Sequence, residues 1–334
     1  MMQYVVGVDI GGTKCAVALG IVCREAGEIY GFRLLDRNSF ATAEEAGPEE
    51  VLSRLVFCVR RMIKGNRIAK GQILGTGICC GGPLDHRTGM IQSPPNLPGW
   101  HNVPVVRRME EELGIPAFLQ NDANACALAE WRFGAGRGCQ DMVFLTCGTG
   151  MGAGLILRGR LYCGSGDMAG EAGHIRLNDT GPVGYGKEGS FEGFCSGGGI
   201  ARLARKKIQE KIQVGDHPAF CPEWSMSLRV TAQDVAKAAR AGDLLALEIF
   251  GVVGEYLGRG LAILIDLLNP EAIVLGSIYQ RCEDLLAERV REVVRREALA
   301  VSAEKCRILP AGLGDKIGDY AAFTVAACGG DYDC

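Results

Sequence analysis

The sequence predicts an α/β protein built from two similar domains that flank a cleft. Strand-like and helix-like segments alternate along the chain, as they do in α/β folds. An apolar strand followed by a Gly-Thr turn and a returning strand occurs twice, beginning at residues 5–13 and again at residues 143–149. This weak internal repeat lies about half a chain length apart. The length of 334 residues also suits about two domains.

In the first half, strands are predicted where short runs are apolar and rich in β-branched residues. These runs are residues 4–8, 15–19, 28–33, 73–78 and 117–120, with a hairpin at 84–92 around Arg87, Thr88 and Gly89. Helical periodicity predicts helices at 48–63, 103–113 and 124–133. Pro48 suits the first turn of its helix, where no backbone donor is needed.

The second half restarts the pattern and then becomes rich in helices. Strands are predicted at 142–147, 154–157, 272–275 and 307–309, and the segment 148–150 forms a turn. Helices are predicted at 200–212, 231–241, 244–268, 283–297 and 315–327.

Composition and charge exclude several classes of protein. The chain is 48% hydrophobic and 22% charged, which is ordinary for a soluble globular protein. With 36 basic and 39 acidic residues, the net charge of -3 gives no footprint for nucleic acid. The N-terminus does not resemble a signal peptide. The most apolar stretch, 261–268, contains Asp266 and is too short to span a bilayer. A cytoplasmic protein without nucleic-acid or membrane partners is expected.

The fifteen cysteines do not form the pattern of a disulfide framework. Their number is odd, they are scattered, and no C-x-x-C motif is present. Buried, reduced thiols in a cytosolic protein are the simplest interpretation, and no catalytic cysteine is predicted.

The segment Asp9-Ile10-Gly11-Gly12-Thr13-Lys14 suits a phosphate site. Backbone N–H groups and a hydroxyl can face phosphate oxygens, and the Asp9 carboxylate can hold Mg²⁺ through water. A plain β-hairpin turn explains the same residues equally well, because glycine-rich turns are common.

A second glycine-rich segment, residues 148–154, makes the phosphate interpretation more specific. It is not a dinucleotide fingerprint, because position 153 is alanine, and no lysine in the chain is followed by Ser or Thr as a Walker A motif requires. Two Gly-Thr turns in corresponding places of two half-domains fit a nucleotide held from both sides.

Candidate polar groups for chemistry lie in two further segments. Asp122 lies between a predicted strand and helix, where a carboxylate can act as an acid or base, although N-capping is the commoner use of Asp there. Glu171 and His174 lie in a run of small residues, with Glu192 further on, and could fix a polar ligand. A lone histidine is more often structural.

Together these segments resemble the ROK family of sugar kinases (repressors, open reading frames and kinases). The resemblance covers nearly the whole chain, and two of its motifs, QNDANA and AGEAGH, are specific in their order and spacing. The motifs are DIGGTK at 9–14, GGPLD at 81–85, SPPNLPGW at 93–100, CGTGMGAG at 147–154, LNPEAIVLGS at 268–277, and the specific pair QNDANA at 120–125 and AGEAGH at 169–174.

The resemblance implies an actin-like (ribonuclease H-like) kinase with Asp122 as the catalytic base that takes the sugar hydroxyl proton. It implies a smaller N-terminal domain at 1–119, joined by the C-terminal helix 314–328, and a larger domain at 120–313. The family's sugar-binding positions fall on Asn96, Asn121, Asp122, Glu171, His174 and Glu192. Its ATP contacts fall on Gly11, Gly12, Thr13, Lys14, Thr149, Gly150 and Gly276. ATP and Mg²⁺ are the expected cofactors, and a homodimer is expected.

One departure from the family concerns zinc. Family members usually carry a zinc site made from the histidine and three cysteines, but Val183, Tyr185 and Ser190 stand at the cysteine positions. Without thiolates a tetrahedral structural zinc site is not available there. No structural zinc is predicted, and the loop must be held by packing, with Tyr185 and Phe191 as candidates.

The expected activity is ATP-dependent phosphorylation of a hexose, with glucose favoured. N-acetylglucosamine, N-acetylmannosamine and fructose remain alternatives, because no motif fixes the shape of the pocket around C2. Two other classes are weighed. A sugar-sensing regulator is less favoured because such members of the family have an N-terminal DNA-binding domain, and this chain begins with the first strand. A non-catalytic sugar-binding protein is the third option.

Overall fold

The computed structural model describes residues 2–42 and 47–330. Helices and strands alternate, and two five-stranded sheets dominate the fold. The strands are β1 (Tyr4–Ile10), β2 (Lys14–Glu25), β3 (Glu28–Ala41), β4 (Ile73–Cys80), β5 (Leu84–Asp85), β6 (Met90–Ile91), β7 (Ala117–Asn121), β8 (Met142–Cys147), β9 (Met151–Leu157), β10 (Arg160–Leu161), β11 (Val183–Gly184), β12 (Lys187–Glu188), β13 (Ala272–Leu275) and β14 (Arg307–Pro310).

The helices cluster in the second half of the chain, as the periodicity predicts. They are α1 (Pro48–Gly65), α2 (Val105–Leu113), α3 (Asp122–Phe133), α4 (Phe191–Cys195), α5 (Gly197–Gln213), α6 (Trp224–Ser227), α7 (Ala232–Arg240), α8 (Leu244–Leu268), α9 (Ile278–Arg281), α10 (Glu283–Glu297), α11 (Ala300–Lys305) and α12 (Ile317–Cys328). Short 3₁₀ turns occupy Lys70–Gln72, Ala172–His174 and Gly314–Lys316.

The first sheet has the order β3-β2-β1-β4-β7. Strands β1, β2 and β3 form an antiparallel meander, whereas β4 and β7 extend the sheet parallel to β1. Apolar side chains of α1 and α2 pack on one face, where Leu55 and Met109 belong to the same buried cluster as Val8 and Ile78. Since both faces of the central strands are buried, their sequences are almost continuously apolar.

Helix α12 covers the opposite face of the first sheet. A Cβ atom on Gly77 of β4 would meet the carbonyl oxygen of Ala322, so the helix and the strand approach each other closely. Phe323 packs with Val5 and Phe32 in a second cluster on this face. The last helix of the chain thus completes the core of its first sheet.

The second sheet repeats this plan with the order β10-β9-β8-β13-β14. Strands β8 and β9 are neighbours joined by three residues, a connection too short for a parallel pair. Strands β13 and β14 continue parallel to β8. The two sheets therefore confirm the predicted α/β class and the internal repeat.

Long helices of the second half pack closely through glycine. A Cβ atom on Gly258 of α8 would come within 2.5 Å of the Val293 Cβ of α10. The absence of that atom lets the two helix backbones approach. Helix α8 spans the predicted 25 residues and buries most of its apolar side chains.

Several predicted boundaries shift for local reasons. Helix α2 begins at Val105 rather than at Val103, because Val103 forms a β-bridge with Ile91 and Pro104 is the N-cap. Helix α3 begins at Asp122 rather than Asn124. The turn at residues 148–150 forms as predicted, but β9 begins at Met151 rather than at Gly154.

The chain divides into two compact units. One comprises Met1–Gln140, Gly154–Gly170 and Gly312–Cys334, and the other Asp141–Ala153 and Glu171–Ala311. The predicted domain boundary at 119/120 stays a prediction. Among the described residues, no helix combines the length and apolar character needed to cross a membrane.

Cysteines that are free are mostly buried. Burial raises the pKa of the Cys79, Cys80 and Cys126 thiols well above the usual value, so these groups stay protonated at neutral pH. This agrees with their interpretation as structural thiols. Cys328, which is partly exposed at the end of α12, is disulfide-bonded, so the expectation of reduced thiols is wrong for this residue.

Candidate active site

The first glycine turn joins β1 to β2 and leaves two polar side chains exposed. The turn is closed by the Gly11 N–H, which donates to the Lys14 carbonyl at 3.2 Å, and by the Thr42 hydroxyl, which donates to the Gly11 carbonyl at 2.7 Å. A Cβ atom on Gly12 would collide with the Asn96 carbonyl oxygen. Thr13 and Lys14 are exposed. Glycine is therefore required at position 12, and the turn can receive an anionic ligand.

The carboxyl ends of three parallel strands bring the predicted polar residues of the first unit together. In register, Ile10 of β1 lies beside Cys80 of β4, and Cys80 lies beside Asn121 of β7. Asp122 follows directly. Ligand sites in open α/β sheets form at such strand ends.

Two glycines after β4 lie against the side chains of Asn96 and Asn121. A Cβ atom on Gly81 would lie 3.6 Å from both amide atoms of Asn96, and one on Gly82 would lie 3.6 Å from the Asn121 Nδ2. At these distances a Cβ atom on either glycine would be in van der Waals contact with the asparagine side chain. The GGPLD segment thus shapes the surroundings of both asparagines.

Asp122 is the first residue of α3, and it is not the N-cap. Asn121 is the cap, since its Oδ1 accepts from the backbone N–H groups of Ala123 at 2.9 Å and of Asn124 at 3.3 Å. The Asp122 Oδ1 also accepts from the Ala123 N–H at 2.8 Å. Because Asn121 caps the helix, the pure capping interpretation of Asp122 is wrong, and its exposed carboxylate can meet a ligand.

Two carboxyl groups of this strand edge have raised pKa values. Desolvation by the surrounding protein, and then the charge of Asp122, raise the pKa of Asp9 to about 6. Desolvation also raises the pKa of Asp122, although the Ala123 N–H opposes the shift. Both residues keep an exposed face, so water and ligands reach them. Two crowded acidic groups of this kind fit a nearby cation, since its charge relieves their repulsion.

The second glycine turn, between β8 and β9, is fixed by Glu192. The Glu192 Oε2 accepts from the Met151 N–H at 3.0 Å, and a Cβ atom on Gly150 would lie 3.0 Å from the same oxygen. The Gly148 carbonyl accepts from the Gly197 N–H at 2.8 Å, which ties the turn to the start of α5. Thr149 and Gly150 remain exposed.

Glu171 precedes the 3₁₀ turn Ala172–His174, His174 ends it, and both residues are exposed. A Cβ atom on Gly173 would collide with the Met151 carbonyl, so this segment packs on the start of β9. The structure thus brings Glu171 and His174 close to the turn that carries Thr149 and Gly150.

Gly276 lies at the carboxyl end of β13, beside the same turn. Its N–H donates to the Leu145 carbonyl of β8 at 2.9 Å. The next residue, Ser277, has a φ of 52°, which is unusual for a residue with a side chain. A Cβ atom on Gly148 would lie 3.8 Å from the Ser277 Oγ. Strain of this kind often accompanies ligand sites.

The loop at the family's zinc position is ordered by ordinary contacts. Strands β11 and β12 form a small hairpin, and the buried Ser190 hydroxyl accepts from the Gly193 N–H at 3.1 Å. Tyr185 lies edge-on to His174 with ring centroids 6.2 Å apart, and Phe191 is fully buried. The side chains at positions 183, 185 and 190 do not fit a zinc ion, and the absence of zinc there stays a prediction.

Two residues of the site were not singled out from the sequence. Gln120 is fully buried, and its Oε1 accepts from the Asn121 N–H at 2.8 Å and from the Asn124 Nδ2 at 3.1 Å. Its place in the QNDANA motif was the available signal. Ser277 ends the LNPEAIVLGS motif, but its strained backbone angle cannot be read from residue type.

Comparison with known proteins identifies relatives over nearly the full length of the chain. The ROK family profile matches residues 5–327. A glucokinase of Halalkalibacterium halodurans is 32% identical over 318 residues, covering 95% of this chain and 92% of that protein. A xylose repressor of Caldicellulosiruptor bescii is 27% identical over 315 residues, covering 93% of this chain and 75% of that protein.

Solved structures agree with the sequence relatives. A ROK hexokinase from Thermus thermophilus is 30% identical with a TM-score of 0.75, covering 97% of both chains. A ROK family glucokinase from Streptomyces griseus, in complex with glucose and AMPPNP, is 28% identical with a TM-score of 0.72, covering 98% of both chains. The predicted actin-like fold class is confirmed by this likeness, and the chain belongs to the ROK family.

Proposed function

We propose that this protein is an ATP-dependent sugar kinase that phosphorylates glucose to glucose 6-phosphate. The observation that carries the proposal is the exposed Asp122 carboxylate, at the start of α3 and next to Asn121. Glucokinases and a hexokinase among the relatives support it.

Asp122 acts as the general base. Its carboxylate accepts the proton of the sugar hydroxyl as that oxygen attacks the γ-phosphoryl group of ATP. The raised pKa makes the carboxylate a stronger base than an ordinary Asp. A positioned base contributes about 10²–10⁴-fold, and the remaining acceleration comes from positioning and charge stabilisation.

The two glycine turns bind the nucleotide. Gly11, Gly12, Thr13 and Lys14 supply backbone N–H groups, a hydroxyl and a positive charge to the phosphates. In the second unit the corresponding contacts come from Thr149, Gly150 and Gly276. Asp9 would hold Mg²⁺ through water, and the ion would neutralise the phosphate oxygens.

The sugar is bound by the amides and carboxylates around these turns. Asn96 and Asn121 offer both donors and acceptors, which suits a ring of hydroxyl groups. Glu171, His174 and Glu192 supply further polar contacts. The Met151 N–H holds one Glu192 oxygen, and this contact orients the other oxygen of the carboxylate.

Several wider features belong to the same proposal. The smaller domain comprises 1–119 and the C-terminal helix 314–328, which the packing of α12 on β4 supports, and the larger comprises 120–313. The enzyme works in the cytoplasm as a homodimer, without structural zinc in its 181–192 loop and without nucleic-acid partners.

A coupled assay of ADP release across a panel of sugars tests the activity. Glucose is expected to give the highest kcat/KM, with N-acetylglucosamine, N-acetylmannosamine and fructose as competing substrates. A higher kcat/KM for an acetylated amino sugar would replace glucose within the same class. No hexose-stimulated ADP release from any sugar would contradict the kinase.

A sugar-responsive regulator is the second candidate, because xylose repressors are among the relatives. This candidate predicts sugar binding without turnover. Binding of glucose by calorimetry, with no ADP release in the presence of ATP and Mg²⁺, would favour it over the kinase.

A further inference from the structure

Beside the segment that carries Asp122, the first unit holds a cluster of three residues with metal-binding side chains. His86 follows β5, whereas Cys163 and Asp167 lie in the segment after β10. One imidazole nitrogen, the thiol sulfur and one carboxylate oxygen all lie within 4.8 Å of one another. Among the residues that the structure describes, no other three histidine, cysteine or acidic side chains form such a group.

The three side chains are held in place by their neighbours. The Asp167 Oδ2 accepts from the His86 backbone N–H at 2.7 Å, and the His86 Nδ1 lies 2.7 Å from both carboxylate oxygens. The side chains of His86 and Asp167 are only 14% and 7% exposed. Asp167 also adopts a φ of 56°, an uncommon conformation for a residue with a side chain.

Amide groups of the catalytic segment complete the surroundings of Cys163. The Gln120 Nε2 and the Asn124 Nδ2 lie 3.8 Å and 3.7 Å from the sulfur, and both donate to it. Both side chains are almost fully buried. Donors of this kind stabilise a thiolate and orient a metal ligand.

We propose that His86, Cys163 and Asp167 bind a divalent transition-metal ion of the Zn²⁺ type. Imidazole nitrogen, thiolate and carboxylate form a ligand set that suits Zn²⁺, whereas Mg²⁺ and Ca²⁺ prefer oxygen alone. Three protein ligands leave a fourth tetrahedral position for water.

The distances are compatible with such an ion. Ligand atoms around one tetrahedral zinc lie about 3.3–3.6 Å apart. To bind the ion, the His86 Nδ1 and the Asp167 carboxylate oxygen, now 2.7 Å apart, would separate by about 0.6 Å. The Cys163 sulfur lies within 4.8 Å of the other two ligand atoms and would move closer to them. Small side-chain rotations are therefore enough.

The ion would stabilise the segment that carries the catalytic base. Gln120 contacts the Cys163 sulfur through its Nε2 and accepts from the Asn121 N–H through its Oε1. A bound ion would fix Cys163, Gln120 and the β7–α3 junction together. The residues His86, Cys163 and Asp167 are ligands in this proposal, and Gln120 and Asn124 are positioning residues.

A Co²⁺ titration of the full-length chain, stripped of metal with a chelator, tests the proposal. Thiolate-bound Co²⁺ gives a near-ultraviolet charge-transfer band, which oxygen-only sites lack. One equivalent of Co²⁺ per chain is expected to produce the band, and Zn²⁺ is expected to abolish it by displacement. Zn²⁺ is also expected to raise the melting temperature, because it binds the folded state.

Matched variants identify the ligands. Cys163→Ser is expected to lose the band, whereas Cys23→Ser, which alters another partly exposed cysteine, is expected to keep it. His86→Gln and Asp167→Asn keep the thiol, and Co²⁺ affinity should fall at least about tenfold in each.

The proposal is overturned by a wild-type titration without the band, or by an unchanged band in Cys163→Ser. If Cys163→Ser does not fold, Asp167→Asn decides the question, because it retains the sulfur and the shape of the side chain. Unchanged Co²⁺ affinity in Asp167→Asn would then show that other cysteines bind the ion.

Discussion

At the level of single residues, the carboxyl end of the first sheet carries two acidic groups that the fold does not need. Asp9 and Asp122 are exposed enough to meet a ligand, yet desolvation raises the pKa of each. For a carboxyl group, a pKa raised in the folded state means that ionisation destabilises the fold. Functional sites commonly accept such a cost.

Replacing Asp9 is therefore expected to stabilise the protein while lowering its activity. In the folded state Asp9 keeps its proton up to a pH of about 6, whereas the ordinary group loses it near 3.8. As the pH rises between these two values, Asp9 therefore lowers the free energy of unfolding. The full shift corresponds to about 3 kcal/mol, and solvent screening of the exposed carboxylate reduces this to about 1 kcal/mol. Asp9→Asn should gain this amount at pH 7.5.

Urea denaturation at pH 7.5 and near pH 4 measures the effect. The gain of Asp9→Asn should shrink at the lower pH, where the wild-type carboxyl group is protonated in the folded state and partly protonated in the unfolded state. Asp179→Asn, an exposed control, should change stability little at either pH. A destabilised Asp9→Asn at pH 7.5 would refute the electrostatic account of this site.

At the level of secondary-structure elements, Glu130 connects α3 to the segment before α12. Its side chain is fully buried. The Oε2 accepts from the N–H groups of Ala135 at 2.8 Å and Gly312 at 3.0 Å, and the Oε1 accepts from the Leu313 N–H at 2.9 Å. One carboxylate thus satisfies three backbone donors.

Glu130→Ala should destabilise the protein by about 3–5 kcal/mol, because three partly buried backbone donors lose their carboxylate acceptor. Glu130→Gln keeps one acceptor oxygen and should lose less. Glu292→Ala, whose wild-type side chain is 59% exposed, is the matched control and should stay within about 0.5 kcal/mol of wild type. Equal melting temperatures for Glu130→Ala and Glu292→Ala would contradict this role.

The packing of α12 on β4 depends on the absence of a side chain at Gly77. In Gly77→Ala the new Cβ would meet the Ala322 carbonyl and lie 2.6 Å from the Ala326 nitrogen. The helix would have to move away, at a cost of about 1–3 kcal/mol. Gly71→Ala is the control, since nothing lies within 4 Å of its Cβ position. Thermal unfolding of both variants measures the difference, and equal stability would show that α12 tolerates displacement.

Most elements could be predicted from the sequence because periodicity and turn residues reflect local physics. The 25 residues of α8 match the predicted range, and the β5–β6 hairpin forms around Arg87 to Gly89 as expected. Boundaries were less predictable where tertiary contacts decide them. Val103 joined a β-bridge with Ile91, and Asn121 took the capping role considered for Asp122.

At the level of the whole molecule, both halves use one plan. Each sheet has an antiparallel edge and is extended by two parallel strands, and each has a glycine turn between its first two strands in chain order. The repeat of an apolar strand and a Gly-Thr turn predicted this similarity. The parallel strand ends explain why Asn121 and Asp122 lie beside the end of β4. Asn96 lies against Gly12 of the first glycine turn, although it is distant from that turn in sequence.

The cluster of His86, Cys163 and Asp167 could not be predicted from the sequence. His86 lies 77 residues before Cys163 and 81 before Asp167, and no known ligand spacing links the three. Only the tertiary fold brings the segment after β10 to the turn after β5. The same limit applies to Ser277, whose strained backbone has no signature in residue type.

The central claim is that the Asp122 carboxylate is the base of a glucose kinase, and turnover by Asp122→Asn tests it most directly. ADP release would be measured with ATP, Mg²⁺ and glucose, and glucose binding by calorimetry would establish that the variant still binds its sugar. The account predicts retained glucose binding with kcat lowered by at least about 10²-fold. Near-wild-type kcat in this variant would contradict it.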